Sequence, residues 1–489
     1  MAFTSLTFCL FLTIVFAAYW SIRVRSLQNG LLVLASYCFY GWWDARFCLL
    51  MLGSSLVDFV VGLGLNRAES RPIRRGLLSV SVVTNLGLLG FFKYCNFFTE
   101  SLQAALASLN WQIDPLTLKV ILPVGISFYT FQTMSYTFDV YAGRLKATGR
   151  IVDYLAYVSF FPQLVAGPIE RATRLLPQFL AVRVFRYEQA VDGCRLILWG
   201  FFKKLVIADR ISPFVDATYG SLDTAGGPQI TLATVAFAFQ IYCDFSAYSD
   251  IAIGTAKLFG FDLMRNFSYP YFSQSPGEFW RRWHISLSTW FRDYVYIPLG
   301  GSRVTATRIA RNLLVTFTIS GLWHGASWNF IIWGAIMGLG VMPEALRRPQ
   351  NDGGERRHSS NSPAGDRLFP TWGTIGRMAC TFALVCFGWI FFRAETLSDA
   401  LLALEKMTYG MTVSAWSQLP DIVGEKIGRQ AVLSILAVVT IEWLSRHQPH
   451  PLVFNGWRTW QRWAVYTALF WITLFVGPRF ETQFIYFQF

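Results

Sequence analysis

Two histidines occupy positions where imidazole chemistry is expected. His324 lies in Ser320-Gly321-Leu322-Trp323-His324-Gly325-Ala326-Ser327-Trp328, an ionisable ring in an otherwise apolar stretch. An ionisable group at membrane depth is costly, so its presence there points to function. Of the five histidines, His358, His447 and His450 fall in polar or Pro-rich connections, which leaves His324 and His284. A neutral imidazole can take a proton from a hydroxyl while that oxygen attacks a carbonyl, which is general-base catalysis. Gly321 and Gly325 permit close approach of another backbone or of a ligand beside His324. The alternative is a structural histidine satisfied by a backbone carbonyl.

His284 belongs to the run Glu278-Phe279-Trp280-Arg281-Arg282-Trp283-His284-Ile285-Ser286-Leu287-Ser288-Thr289-Trp290-Phe291-Arg292-Asp293-Tyr294. One continuous helix would bring Arg281, His284, Ser288 and Arg292 near one face at three- and four-residue spacing. Such a face could hold a phosphate- or thioester-bearing donor, or it could be an interfacial helix tied by Arg–Asp pairs. Asp244 and Asp250 lie in an apolar run, where they could orient a histidine, bind substrate hydroxyls or pair with arginines of the next segment. Pro162 to Pro168 read as a kinked or re-entrant break. The chain ends Gln483-Phe484-Ile485-Tyr486-Phe487-Gln488-Phe489, either an interfacial anchor or a phenol that could accept an acyl group.

These residues need a membrane scaffold. The composition is 54% hydrophobic, 17% aromatic and only 15% charged, far from soluble usage. Apolar segments near the roughly 17–25 residues that a span needs fall at 3-20, 29-45, 47-65, 77-98, 116-138, 153-169, 194-208, 229-260, 373-393, 428-445 and 462-477, with two shorter ones inside 311-343. The expected fold is an all-α polytopic bundle. Its Gly- and Pro-interrupted helices are tolerated only around protein or a water-filled cavity.

The first apolar run lacks a small-residue cleavage site and is followed by Arg23 and Arg25, so it reads as a retained helix. Those arginines, with Arg67, Arg71, Arg74 and Arg75 after the third span, place both loops in the cytoplasm and the N-terminus outside. The net charge of +13 is dispersed over inter-helix loops, which suits anionic lipid and argues against nucleic acid. Residues 265–312 interleave Arg with Trp, Tyr and Phe, suiting short helices at the interface or re-entering the bilayer. Eight scattered cysteines give neither a disulfide framework nor a metal site. Residues 344–372 are polar and predict a flexible loop. The whole of 1–489 is read as one membrane domain, with the motifs in 160–345 and further helices in 373–489.

Arg281-Arg282-Trp283-His284-Ile285-Ser286-Leu287-Ser288-Thr289-Trp290-Phe291-Arg292-Asp293-Tyr294, then Leu299-Gly300-Gly301 and Gly321-Leu322-Trp323-His324-Gly325-Ala326, resemble the membrane-bound O-acyltransferase (MBOAT) family. The likeness is to the bacterial, alginate O-acetyltransferase-like branch. Phe161-Pro162 to Gly167-Pro168, Asp244 to Asp250, Gly388 to Ala394 and Phe484 to Phe487 extend the likeness over most of the chain in order.

The resemblance implies a bundle of about 11–13 helices, some re-entrant or interfacial, around a central funnel. It maps the family's invariant histidine onto His324 and its second histidine onto His284, and gives Tyr486 the role of acyl relay. Arg281, Arg282, Ser288, Asp293, Asp244 and Trp323 are then candidates for binding or positioning. The implied activity is acyl transfer, with acetyl the expected group. A cytoplasmic thioester, acetyl-CoA or an acyl carrier protein, would donate it for O-acetylation of an exported polysaccharide.

No bound cofactor or metal is expected. The implied partner is an extracytoplasmic transferase, alone or with a polysaccharide synthase complex, and the implied location is the bacterial inner membrane. Peptidoglycan O-acetylation and teichoic-acid D-alanylation are alternatives within the family. A transporter or flippase and a synthase scaffold are the alternatives outside it. One departure stands out: after Trp333-Gly334-Ala335, where related sequences often carry a further histidine, this chain has Ile336-Met337-Gly338.

Overall fold

Apolar helices dominate because a bilayer offers no partner for a free peptide group, so each span must satisfy its own backbone. The computed structural model describes residues 1–111, 121–347, 369–477 and 484–485, and among them there is no strand. The chain divides into two compact units, Met1–Cys194 with Ala252–Met264, and Arg195–Ile251 with Arg265–Phe489.

The first unit contains α1 (Leu6–Ser21), α2 (Arg25–Gly41), α3 (Arg46–Arg67), α4 (Arg71–Leu89), α5 (Cys95–Ala107), α6 (Ile126–Tyr141), α7 (Ile151–Ser159) and α8 (Ala172–Leu180). A buried polar knot fastens α3, α4 and α6. Asp58 accepts from Ser81 Oγ at 2.5 Å and Asn85 Nδ2 at 2.7 Å, and Thr133 donates to Asn85 Oδ1 at 3.2 Å. Hydrogen bonds of this kind hold helices together where lipid supplies no hydrophobic drive.

Part of α9 (Tyr187–Phe202) and most of α11 (Gly227–Leu258) belong to the second unit, with α10 (Asp209–Tyr219), α12 (Pro276–Arg282), α13 (Ile285–Phe291), α14 (Ala306–His324) and α15 (Trp328–Arg347). It also holds α16 (Trp372–Arg393), α17 (Leu397–Tyr409), α18 (Val413–Gly424), α19 (Lys426–Ser445) and α20 (Thr459–Val476). Its core gathers Trp199, Phe237, Phe245, Trp283, Trp333, Trp389 and Phe392.

Among the described residues, six helical stretches are long and apolar enough to cross a membrane. The chain is therefore a polytopic helical membrane protein. Several expected spans are redrawn. The segment 153–169 is helical only to Ser159 and then enters buried turns through the Pro162–Pro168 break. The two short elements expected inside 311–343 are the full helices α14 and α15. Of the polar stretch expected from 344, residues 344–347 are the last turn of α15, and residues 348–368 lie outside the described residues.

Candidate active site

His324 is the last residue of α14, where the backbone turns extended at Gly325. The neighbouring glycines let two helices touch. A methyl group on Gly321 would collide with the Phe330 carbonyl of α15, and one on Gly334 with the Phe317 carbonyl of α14. Small residues at facing positions are how membrane helices approach most closely. The approach that Gly321 and Gly325 permit is thus taken up by protein: backbone against Gly321, and the Phe330 ring against Gly325. The result is a fixed imidazole, buried to 6% exposure. Aromatic rings wall it in, with Trp323 and Trp333 each at 5.0 Å between centroids and Phe392 at 5.6 Å.

His284 reaches the same pocket, with its ring centroid 6.3 Å from that of His324. It does so through a break in the expected helix. α12 stops at Arg282, His284 takes the left-handed conformation (φ 42°, ψ 54°), and α13 starts at Ile285. A side chain in that region costs about 1–2 kcal/mol, so the surroundings must hold it. The extended chain at 266–268 does so: Ser268 N donates to Arg282 O and Ile285 N donates to Asn266 O, both at 2.9 Å.

Asn266 also fixes the ring. Its Oδ1 accepts from the Ser286 backbone N–H at 3.2 Å and from Ser286 Oγ at 2.9 Å. A backbone amide can only donate, so the Asn266 atom facing it is the oxygen. The same oxygen lies 3.1 Å from His284 Nδ1. In the neutral ring Nδ1 therefore carries the hydrogen, and the lone pair sits on Nε2. Asn266 is held in turn by its Nδ2 donating to Ser249 Oγ of α11 at 3.1 Å.

The structure brings together His324, His284 and Trp323, whose indole lies 6.2 Å from the His284 ring. It does not assemble the single face expected of 278–294. Because the chain breaks at His284, Arg281 points to Glu344 on α15 at 3.5 Å and is largely exposed. Arg282 bonds to Glu278 at 2.9 Å, and Ser288 Oγ donates to the Trp283 carbonyl at 3.2 Å. Asp293 pairs with exposed Arg292 at 2.7 Å in a π-helical turn, the Arg–Asp pairing weighed as the alternative. Tyr486 lies outside the described residues.

Asp244 serves a second cluster. Lys203 and Lys204 open a π-helical turn, Lys203–Ala208, and both are buried. Lys203 pairs with Asp250 at 2.7 Å; Lys204 pairs with Asp244 at 2.6 Å and Asp209 at 2.9 Å. The α11 carboxylates are thus ion-paired as envisaged, with lysines from an earlier segment in place of arginines from a later one. Neither lysine was singled out from the sequence. Nor was Asn266, although two consecutive lysines inside the apolar run 194–208 are a legible signal of buried charge.

Residues 148–352 match the MBOAT, membrane-bound O-acyltransferase family. The chain is 40% identical to the probable alginate O-acetylase AlgI of Pseudomonas aeruginosa, over 83% of this chain and 75% of that protein. It is also 40% identical to the probable alginate O-acetylase AlgI of Azotobacter vinelandii, over 82% and 76%. The peptidoglycan O-acetyltransferase of Helicobacter pylori is 34% identical over 77% of this chain and 73% of that protein.

Proposed function

Because the chain belongs to the membrane-bound O-acyltransferase family, we propose that it moves an acetyl group from a thioester donor towards hydroxyls of an exported polysaccharide, with His324 as general base. It is a multi-pass membrane O-acyltransferase. Acetyl as the group and a glycan as the acceptor are common to the alginate-directed relatives and the peptidoglycan-directed one, and this supports both assignments. The higher identity to the former favours an alginate-like exopolysaccharide.

The observation that carries the reading is the paired imidazoles, 6.3 Å apart in an aromatic-walled pocket. In the reaction a hydroxyl proton passes to the imidazole of His324 and the oxygen bonds to the thioester carbonyl carbon. The carbon–sulfur bond then breaks, and the imidazolium returns its proton to the departing thiolate. His284, held by Asn266, positions the donor or the acceptor. The donor is acetyl-CoA or an acyl carrier protein on the cytoplasmic side of the inner membrane, with the N-terminus outward. Tyr486 is the first acceptor, and an extracytoplasmic transferase, alone or with a polysaccharide synthase, takes the group onward.

The test is O-acetyl content of surface polysaccharide and of peptidoglycan in cells lacking the native gene and complemented with wild type or His324→Ala at equal membrane abundance. Loss of acetyl ester with His324→Ala supports the reading, and the polymer that loses it names the acceptor. Full rescue by His324→Ala would overturn it in favour of a scaffold. Unchanged acetylation of both polymers on deletion would overturn acetyl transfer to either.

A further inference from the structure

Phe484 and Ile485 are tied down, buried to 3% and 5% exposure. The tie is the second cluster. Asp244 uses both oxygens: Oδ1 accepts from Lys204 at 2.6 Å, and Oδ2 accepts from the backbone N–H of Ile485 at 2.8 Å. The Lys204 ammonium lies 4.6 Å from the centroid of the Phe484 ring, a cation–π contact. Tyr248 meets that ring at 4.7 Å, edge to face. Lys204 also pairs with Asp209 at 2.9 Å, so two carboxylates face one ammonium. Neutralising Lys204 needs only one of them; the other is left to hold the tail.

The same stretch of α11 supports the histidine pocket. Phe245, next to Asp244, packs edge-on against the His284 ring at 4.6 Å, and Ser249 holds Asn266. Asp244 and Tyr248, four apart, meet the tail; Phe245 and Ser249, also four apart, meet the His284 assembly. Residues four apart share a helix face, so two adjacent stripes of one helix serve residues 484–485 and the pocket.

We propose that Asp244 and Lys204 are positioning residues that dock the C-terminal segment of this chain beside the histidine pocket during acyl transfer. This rests on the acyltransferase reading above. The dock grips a backbone amide and one ring, so it requires an aromatic residue at 484 and a free N–H at 485.

The experiment uses the full-length protein in membranes with Ile485→Cys as reporter, its maleimide labelling read on the C-terminal peptide by mass spectrometry. Two variants release the tail by different routes. Asp244→Asn keeps shape and an oxygen for Lys204, but turns an NH2 towards the Ile485 N–H, donor against donor. Phe484→Ala removes the ring and leaves the ion pairs intact.

We expect Ile485→Cys alone to label at least tenfold more slowly than in denatured protein, and both variants to abolish that protection. We also expect acetyl transfer per folded molecule to fall at least tenfold in both variants without the reporter. Protection that persists in both variants, or unimpaired transfer when the tail is released, would overturn the proposal. Tyr486→Phe is the separate control: full transfer in that variant removes the relay, whereas the dock still stands or falls on the labelling.

Discussion

The second unit buries ionisable groups in two ways. In the lysine cluster each charge meets an opposite charge: Lys203 with Asp250, Lys204 with Asp244 and Asp209. In the histidine pocket the rings are walled by Trp323, Trp333, Phe392 and Phe245, and the fixing bond to His284 comes from a neutral amide. The difference separates holding from reacting. A buried charge that is matched stabilises an arrangement, whereas a buried neutral imidazole such as that of His324 is a group that can exchange a proton.

The sharpest way to break this distinction is to remove one group from each. His324→Gln should lower acetyl transfer by about 10²–10⁴-fold, the usual worth of a general base, while leaving the thermal midpoint of the purified protein close to wild type. Lys204→Met should act the other way, leaving Asp244 and Asp209 buried without their cation at a cost of about 3–5 kcal/mol. Its readout is yield of folded protein and thermal midpoint, with transfer per folded molecule falling as a secondary effect of losing the tail. If His324→Gln unfolds the protein and Lys204→Met does not, the roles assigned to the two clusters are reversed.

A second test probes how the pocket is built. Gly321→Ala places a methyl group against the Phe330 carbonyl and forces α14 from α15. Overpacking of this kind costs about 1–3 kcal/mol and displaces His324, so stability and transfer should fall together. Gly76→Ala on α4, with open space around the position, is the control and should change neither.

How much of this could be read beforehand follows from what each residue advertises. A histidine in an apolar run is conspicuous, and so are His284 and the flanking Arg and aromatic residues; these gave the family and the two imidazoles. The composition and the span-length apolar runs make the helical membrane fold legible. The break at His284 was not legible, because nothing in a histidine announces positive φ and the 278–294 spacing suits a continuous helix. The partner that fixes His284 is Asn266, an ordinary amide in a loop whose role exists only once 266–268 lies beside 282–285. The tail contact is made by a backbone N–H, which every residue but proline possesses and no side-chain pattern can reveal. Lys203 and Lys204 were visible as charges in an apolar run; which carboxylates meet them depends on the π-helical turn that directs both inward.

Asn266 sharpens the comparison by a smaller effect. Asn266→Ala removes the acceptor that fixes the His284 tautomer and also serves Ser286. Transfer should fall about tenfold, equivalent to roughly 1.4 kcal/mol of misalignment in the transition state. The pH profile of transfer should change as well, because the ring can then exchange tautomers. An unchanged profile would mean that Asn266 supports only the backbone.

The smallest expected effect concerns the strain at His284. Its backbone lies at φ 42°, a region that asparagine and glycine tolerate and β-branched residues resist. His284→Asn and His284→Val both remove the imidazole, so both should lose its contribution to transfer equally. Their stabilities should differ, with His284→Val lower by about 1–2 kcal/mol, the cost of holding such a side chain left-handed. Thermal midpoints of the two purified variants measure that difference directly. Equal midpoints would mean that the 266–268 and 282–285 pairing does not hold residue 284 in that conformation, and that the helix break is imposed by the imidazole itself. A gap with equal residual transfer would instead separate the two contributions at one position: backbone geometry set by the pairing with 266–268, and chemistry set by the ring.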